Sequence, residues 1–239
     1  MRELVISKYE AGQRFDKFLA KYMELAPKSF FYKMMRKKNI TLNGKKAAGN
    51  EKLEEGDTVK LFLSEETIEG FREKKKRAVH TGAKLDILYE DEQVMLINKP
   101  AGMLSQKAEK GDISMVEHLI SHLLDTGEVT EEMLKTFRPS LCNRLDRNTS
   151  GIVAAGKTLQ GLQILSGLFK ERTLHKYYLC IVKGVIKEEQ DVRGWLLKNE
   201  KTNQVRIFKN ETKDVRPIHT KYRPLADNGQ ETLLEIELL

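Results

Sequence analysis

The stretch CNRLDRNTSGIVAAGKT, residues 142–158, runs from a short polar loop, DRNTSG, straight into an apolar strand, IVAA at 152–155. A loop fed by a strand holds its side chains on rigid support and leaves them open to a ligand. Asp146 is therefore expected at the lip of a sheet. Side chains of extended chain alternate with period two, so Arg144 and Asp146 project from one face. A carboxylate beside guanidinium groups stays ionised, which suits a nucleophile or a base. Taken alone, Arg144-Leu145-Asp146 reads as no more than a surface ion pair in a polar turn.

Around this stretch the pattern is one of strands with helices inserted irregularly, which predicts an α+β fold with a mixed, mainly antiparallel sheet and flanking helices. Val94–Ile97 is a short apolar strand broken by the turn Asn98-Lys99-Pro100-Ala101-Gly102. Ser114 and Glu117 form a capping-box spacing ahead of Val116, Leu119, Ile120 and Leu123, which predicts a helix to about residue 125. A second helix is carried by Leu159, Leu162, Leu165 and Phe169, with Thr158 as cap. Further strands are expected at 177–182, 204–208 and 232–239, the last alternating Leu234, Ile236 and Leu238 against Glu235 and Glu237.

The N-terminal quarter has another character. Phe15, Phe18, Leu19 and Tyr22 share one helical face, and Pro27 opens a second helix with Phe30, Phe31, Met34 and Met35 inside it. Lys28, Lys33, Arg36, Lys37 and Lys38 decorate that helix. Asn43-Gly44 marks a tight hairpin, and Gly56-Asp57 turns the chain into Val59, Leu61 and Leu63 at strand spacing. Residues 1–63 hold 14 Lys/Arg against 8 Asp/Glu, a net +6, and the rest of the chain is close to balance. Such asymmetry points at a nucleic-acid-binding module. Residues 64–80, with EKKKR at 73–77, show neither periodicity and read as a linker.

Composition closes off several classes. The chain has 239 residues, 40% hydrophobic and 32% charged, so it is expected to fold around a sizeable core. No apolar run reaches the ~20 residues of a membrane helix, and MRELVISKYE lacks the apolar segment of a secretory signal. Two cysteines, Cys142 and Cys180, exclude a disulfide framework and suit a reducing cytoplasm. His118 and His122 stand at a metal-chelating spacing without a third ligand, so they read as packing or surface residues. Lys99 reads as a turn residue and Trp195 as core.

The long string at 142–158 resembles the RLDxxTSG motif of the RluA-type pseudouridine synthases. YEDEQVMLINKPAGM (89–103) resembles their first motif, and HKYYLCIVKG (175–184) their K-x-Y motif followed by a strand. RFDKFL, the basic second helix, ITLNGK and LEEGDTVKL resemble the S4 RNA-binding domain. The resemblance implies three spans: an S4-like domain at 12–63, a linker at 64–80 and a catalytic domain at 81–239. It also implies isomerisation of specific uridines to pseudouridine in structured RNA, with ribosomal RNA placed ahead of transfer RNA. Asp146 is the implied nucleophile. Arg144 fills the space left by the extruded base or holds its phosphate, and Tyr178 packs on the base. Arg14, Lys17, Lys28, Ser29, Arg36, Lys37 and Lys176 contact RNA. No metal or organic cofactor is implied, and the enzyme is expected to be a cytoplasmic monomer without membrane attachment.

Two departures from the family pattern stand out. Asn143 occupies the position of a common histidine, and Asn can both donate and accept. A segment resembling TGRxHQIRxH is absent before the sequence stops at Leu239, so the catalytic domain is expected to be incomplete and its turnover weak. Two rivals follow. A non-catalytic RNA-binding protein or assembly factor needs the basic helix and not Asp146. A hydrolase needs a second carboxylate, and none stands nearby in sequence.

Overall fold

Phe15, Phe18, Leu19 and Tyr22 are all buried by one helix, α1 (Phe15–Tyr22), as their spacing requires. The computed structural model describes residues 1–72, 80–109, 111–199, 202 and 204–239. Pro27, in extended conformation, precedes α2 (Lys28–Arg36), which buries Phe31 and Met35. Asn43 and Gly44 both take positive φ, 50° and 71°, the pair of angles that a two-residue hairpin needs between β2 (Ile40–Leu42) and β3 (Lys45–Lys46). With β1 (Arg2–Val5) and β4 (Thr58–Leu61) these strands make an antiparallel sheet in the order β1-β4-β2-β3.

The hydrophobic cluster of this module reaches beyond the expected 12–63 span. It takes in Ile6 from the N-terminal side and Ile68 from α3 (Glu65–Gly70). The expected linker thus begins as a helix, capped by the Ser64 hydroxyl on the Thr67 amide at 3.2 Å. Six residues with one buried apolar side chain carry no readable period, which is why the sequence conceals it. Residues 73–79, including the EKKKR cluster, lie outside the described residues.

A second antiparallel sheet, in the order β5-β6-β8-β7, is built from β5 (Ile87–Glu90), β6 (Val94–Lys99), β7 (Ser140–Leu141) and β8 (Gly151–Gly156). Helix α4 (Met115–Asp125) starts at the predicted capping box, with the Ser114 amide and hydroxyl donating to Glu117 at 3.1 and 2.7 Å. Helix α5 (Leu159–Lys170) starts where the Thr158 hydroxyl accepts from the Gly161 amide at 3.0 Å.

The chain divides into two compact units, Met1–Phe169 and Lys170–Leu239. The second unit is one antiparallel sheet in the order β11-β10-β12-β13-β9, formed by β9 (Lys176–Lys183), β10 (Gln190–Lys198), β11 (Val205–Phe208), β12 (Arg216–Asp227) and β13 (Glu231–Leu238). The α+β class with antiparallel sheets is the expected one. Trp195, expected in the core, is only half-buried, facing Phe208 and Pro217 across β10.

Candidate active site

The loop between β7 and β8 alternates as its sequence requires: Arg144 and Asp146 are exposed and Leu145 between them is buried. The two charged side chains share a face, yet they form no ion pair with each other, and among the described residues neither has a side-chain hydrogen-bond partner. The simple surface ion pair is therefore not what this loop builds. The Asp146 carbonyl accepts from the Thr149 amide at 3.1 Å, which closes the turn beneath an open carboxylate.

Three side chains, two of them buried, hold that turn. The Ser105 hydroxyl donates to the Leu145 carbonyl at 2.6 Å and accepts from the Leu145 amide at 3.0 Å, so one side chain satisfies both backbone groups next to Asp146. Asn143 uses both ends of its amide against β8, donating to the Ile152 carbonyl at 3.2 Å and accepting from the Ala154 amide at 2.8 Å. Asn143 thus uses both the donor and the acceptor of its amide. Lys99, at the end of β6, is fully buried and donates to the carbonyls of Pro100 at 3.0 Å, Met103 at 2.9 Å and Arg147 at 3.3 Å. Gly102 and Arg147 complete the seam, amide to carbonyl at 2.8 Å.

Burial pushes the Lys99 ammonium below the usual lysine range, and the negative charge of Asp146 pushes it back up. Lys99 thus senses the field of Asp146 across the loop. The sequence marks Lys99 as a turn residue; its seat beneath Asp146 is the larger role. Neither it nor Ser105 announces itself by spacing, because both contacts span 40 residues or more of sequence.

The remaining candidates lie elsewhere. Arg14, Lys17, Lys28, Ser29, Arg36 and Lys37 are all exposed along or just before α1 and along or just after α2. Arg14 is engaged, gripping Asp16 through two nitrogens at 3.0 Å each. Lys176 and Tyr178 lie in the second unit on β9, half-buried and opposite Leu238 and Ile236. Tyr177 faces the other way, 58% exposed and stacked on His175. The Cys142 thiol is pushed up by burial, as an inert packing residue would be. His118 bonds Thr81 at 2.8 Å. Among the described residues no group of three or more His, Cys, Asp or Glu is placed to hold a metal ion.

The family profile described as RNA pseudouridylate synthase matches residues 93–239. Ribosomal large subunit pseudouridine synthase C of Vibrio parahaemolyticus is 32% identical, over 94% of this chain and 68% of its own length. The protein of the same name from Escherichia coli K12 is 29% identical, over 92% of this chain and 66% of its own length. Among solved structures, human RNA pseudouridylate synthase domain containing 1 superposes with a TM-score of 0.50 at 17% identity, covering 65% of this chain and 59% of that one, a likeness of fold alone. A profile that covers the Asp146 loop and every strand from β6 to β13, together with relatives matched along nearly the full chain, places this protein in the RNA pseudouridylate synthase family, enzymes that isomerise uridine within RNA.

Proposed function

We propose that this chain converts specific uridines of ribosomal RNA to pseudouridine, with Asp146 as the nucleophile. The observation that carries the reading is the Asp146 carboxylate itself: open to a ligand, unpaired among the described residues, and set on a backbone that Ser105, Asn143 and Lys99 fix from three sides. Preorganised placement of a reacting group is worth several kcal/mol of barrier. The names of the relatives support ribosomal RNA over transfer RNA.

The chemistry asks for a nucleophile and no net change of oxidation state. Asp146 assists rupture of the C1′–N1 bond; the uracil turns; C1′ bonds to C5; the C5 hydrogen leaves as a proton and N1 gains one. The base must leave its stack first, at a cost of a few kcal/mol. Tyr178 offers an aromatic face for it, and Arg144 the cation that fills the vacated space or holds the phosphate. The N-terminal module is S4-like, and its exposed Arg14, Lys17, Lys28, Ser29, Arg36 and Lys37, with Lys176 of β9, track the RNA backbone. The enzyme works in the cytoplasm as a monomer, away from membranes. The described residues contain no helix long and apolar enough to span a bilayer.

The test is tritium release from ribosomal RNA labelled at uridine C5. Release that Asp146→Asn abolishes without loss of RNA affinity supports the reading. Binding with no Asp146-dependent release would instead describe a non-catalytic RNA-binding protein, and free uracil in the products a hydrolase.

A further inference from the structure

An open cleft of about 400 Å³ lies between α2 and the loop that follows β3, well apart in sequence from Asp146. Its size falls at the lower end of the ~300–1,000 Å³ typical of ligand sites. Met35, Ala47 and Ala48 form its apolar part, and Tyr32, Arg36 and Lys46 its reactive rim. We infer that this cleft takes one unstacked nucleotide of single-stranded RNA, its base laid on the Tyr32 ring and its phosphates held by Arg36 and Lys46. The inference rests on the reading of this chain as an RNA-modifying enzyme and adds a base-binding subsite to it.

The ring is presented rather than stored. Tyr32 is 39% exposed, although a phenol on a surface helix usually lies flat against its neighbours. Its hydroxyl donates to Asp16 at 3.1 Å, and Asp16 is in turn held by Arg14. The hydroxyl thus holds the far end of the ring, and the ring stays partly exposed along the cleft, where a base can stack on it. Gly49 lets the opposite wall approach. It sits at φ +96°, and a Cβ there would come within 3.0 Å of the Met35 methyl and 3.1 Å of the Tyr32 ring.

The charges around the cleft sort themselves by use. Glu51 lines it as well, but its carboxylate accepts from the amides of Ala48 and Gly49, each at 2.6 Å. Burial works against that charge, and the backbone amides outweigh it and hold the carboxyl below the usual range. Both nearby carboxylates, Glu51 and Asp16, are thus committed to folding the walls. Arg36 and Lys46 are exposed and form no ion pair among the described residues. An occupant with an aromatic face and a neighbouring negative charge satisfies all three free groups; a bare anion leaves the ring unused.

The test compares a short oligouridylate with an abasic ribose-phosphate oligomer of equal length, titrated against the full chain. The native chain is expected to prefer the base-bearing oligomer. Tyr32→Leu is expected to lose about 10-fold affinity for it, the size of one stacking contact, and none for the abasic oligomer. Tyr32→Phe keeps the ring and should keep the preference. Lys46→Gln should weaken both oligomers alike and shallow the salt dependence. Equal affinity of the native chain for the two oligomers, or no effect of Tyr32→Leu, would overturn the subsite and leave a phosphate surface. Photocrosslinking of a 4-thiouridine oligomer to the unmutated chain probes the same contact without a variant. A crosslink mapped to Tyr32 supports the subsite, and crosslinks confined to other segments oppose it. Tritium release lost with Asp146→Asn reports on catalysis separately, so an active enzyme that fails these tests loses only the cleft.

Discussion

Lys99 shows how much a single residue can do without touching substrate. A lysine with no exposed surface and, among the described residues, no carboxylate within hydrogen-bond reach is unusual. Its ammonium is instead solvated by three carbonyls, one of which belongs to Arg147 on the turn that carries Asp146. Lys99→Met keeps the length of the stem and removes the donor from the Pro100 and Met103 carbonyls, while the Arg147 carbonyl keeps the Gly102 amide. Each unsatisfied buried group costs about 1–3 kcal/mol, so a lower melting temperature is expected, and with it slower tritium release as the turn under Asp146 loosens. A variant that melts later or turns over normally would assign Lys99 to the background. His118 gives a pH signature. Burial holds its imidazole below the ordinary histidine value of about 6.5, with Glu117 opposing. As pH falls through that value the unfolded chain takes up the proton first, so stability drops on acidification until the folded pKa is passed. Denaturation midpoints of His118→Gln measured between about pH 7 and 5 should fall less steeply than those of the parent.

At the scale of elements, helix α5 is seated by one glycine and indifferent to another. A Cβ on Gly161 would lie 2.2 Å from the Gln93 carbonyl oxygen, whereas nothing lies within 4 Å of one on Gly167. Alanine gains about 1 kcal/mol over glycine in a helix interior. At Gly167 that gain stands alone, and a higher melting temperature is expected. At Gly161 the clash is with backbone and cannot be relieved by a rotamer. Overpacking of about 1–3 kcal/mol or more outweighs the propensity, and a lower melting temperature is expected. Two substitutions of the same type in one helix should therefore shift the melt in opposite directions. Elements whose residues declare a period were legible in the sequence: α1, α2, α4 with its capping box, β8 and β9. Strands β10 and β12 were not. Both are largely exposed along their length, so neither shows the in–out alternation that marks a strand. β12 even carries Pro217 within a strand flanked on both sides, and Pro224 at the edge of a bulge, residues that argue against a strand when read locally. Their pairing is decided by neighbours distant in sequence. The site divides in the same way. Arg144 and Asp146 were visible because the motif that carries the resemblance is one contiguous stretch, 142–158; Ser105, Lys99 and the Tyr32 cleft depend on contacts no spacing encodes.

At the scale of the whole molecule, the N-terminal module is bound to the part of the chain that carries Asp146 through residues 8–10 and Arg72. Lys8 pairs with Glu92 at 3.1 Å, the Tyr9 carbonyl accepts from the Leu159 amide at 3.2 Å, and Arg72 reaches Glu132 at 2.6 Å. An exposed ion pair such as Lys8–Glu92 contributes about 0–1 kcal/mol. Glu10 differs because it is buried, at 6% exposure, and its carboxylate accepts from the Ser7 amide, the Ser7 hydroxyl and the Thr136 hydroxyl. A buried charge depends on its donors, and only Thr136 comes from across the seam. Thr136→Val deletes that donor at nearly constant volume and should cost about 1–3 kcal/mol, concentrated at the seam rather than in either core. In scanning calorimetry the residues 1–169 of the native chain should melt as a single transition, with the module's own hydrophobic cluster intact but no longer coupled in the variant, so that its trace separates into two. RNA affinity, which the proposed function assigns to α1 and α2, should survive the change, while tritium release is expected to fall as the bound RNA loses its register with Asp146. Should Thr136→Val melt in one step and turn over at the parental rate, the seam would be mere contact, and the module would position RNA by other means.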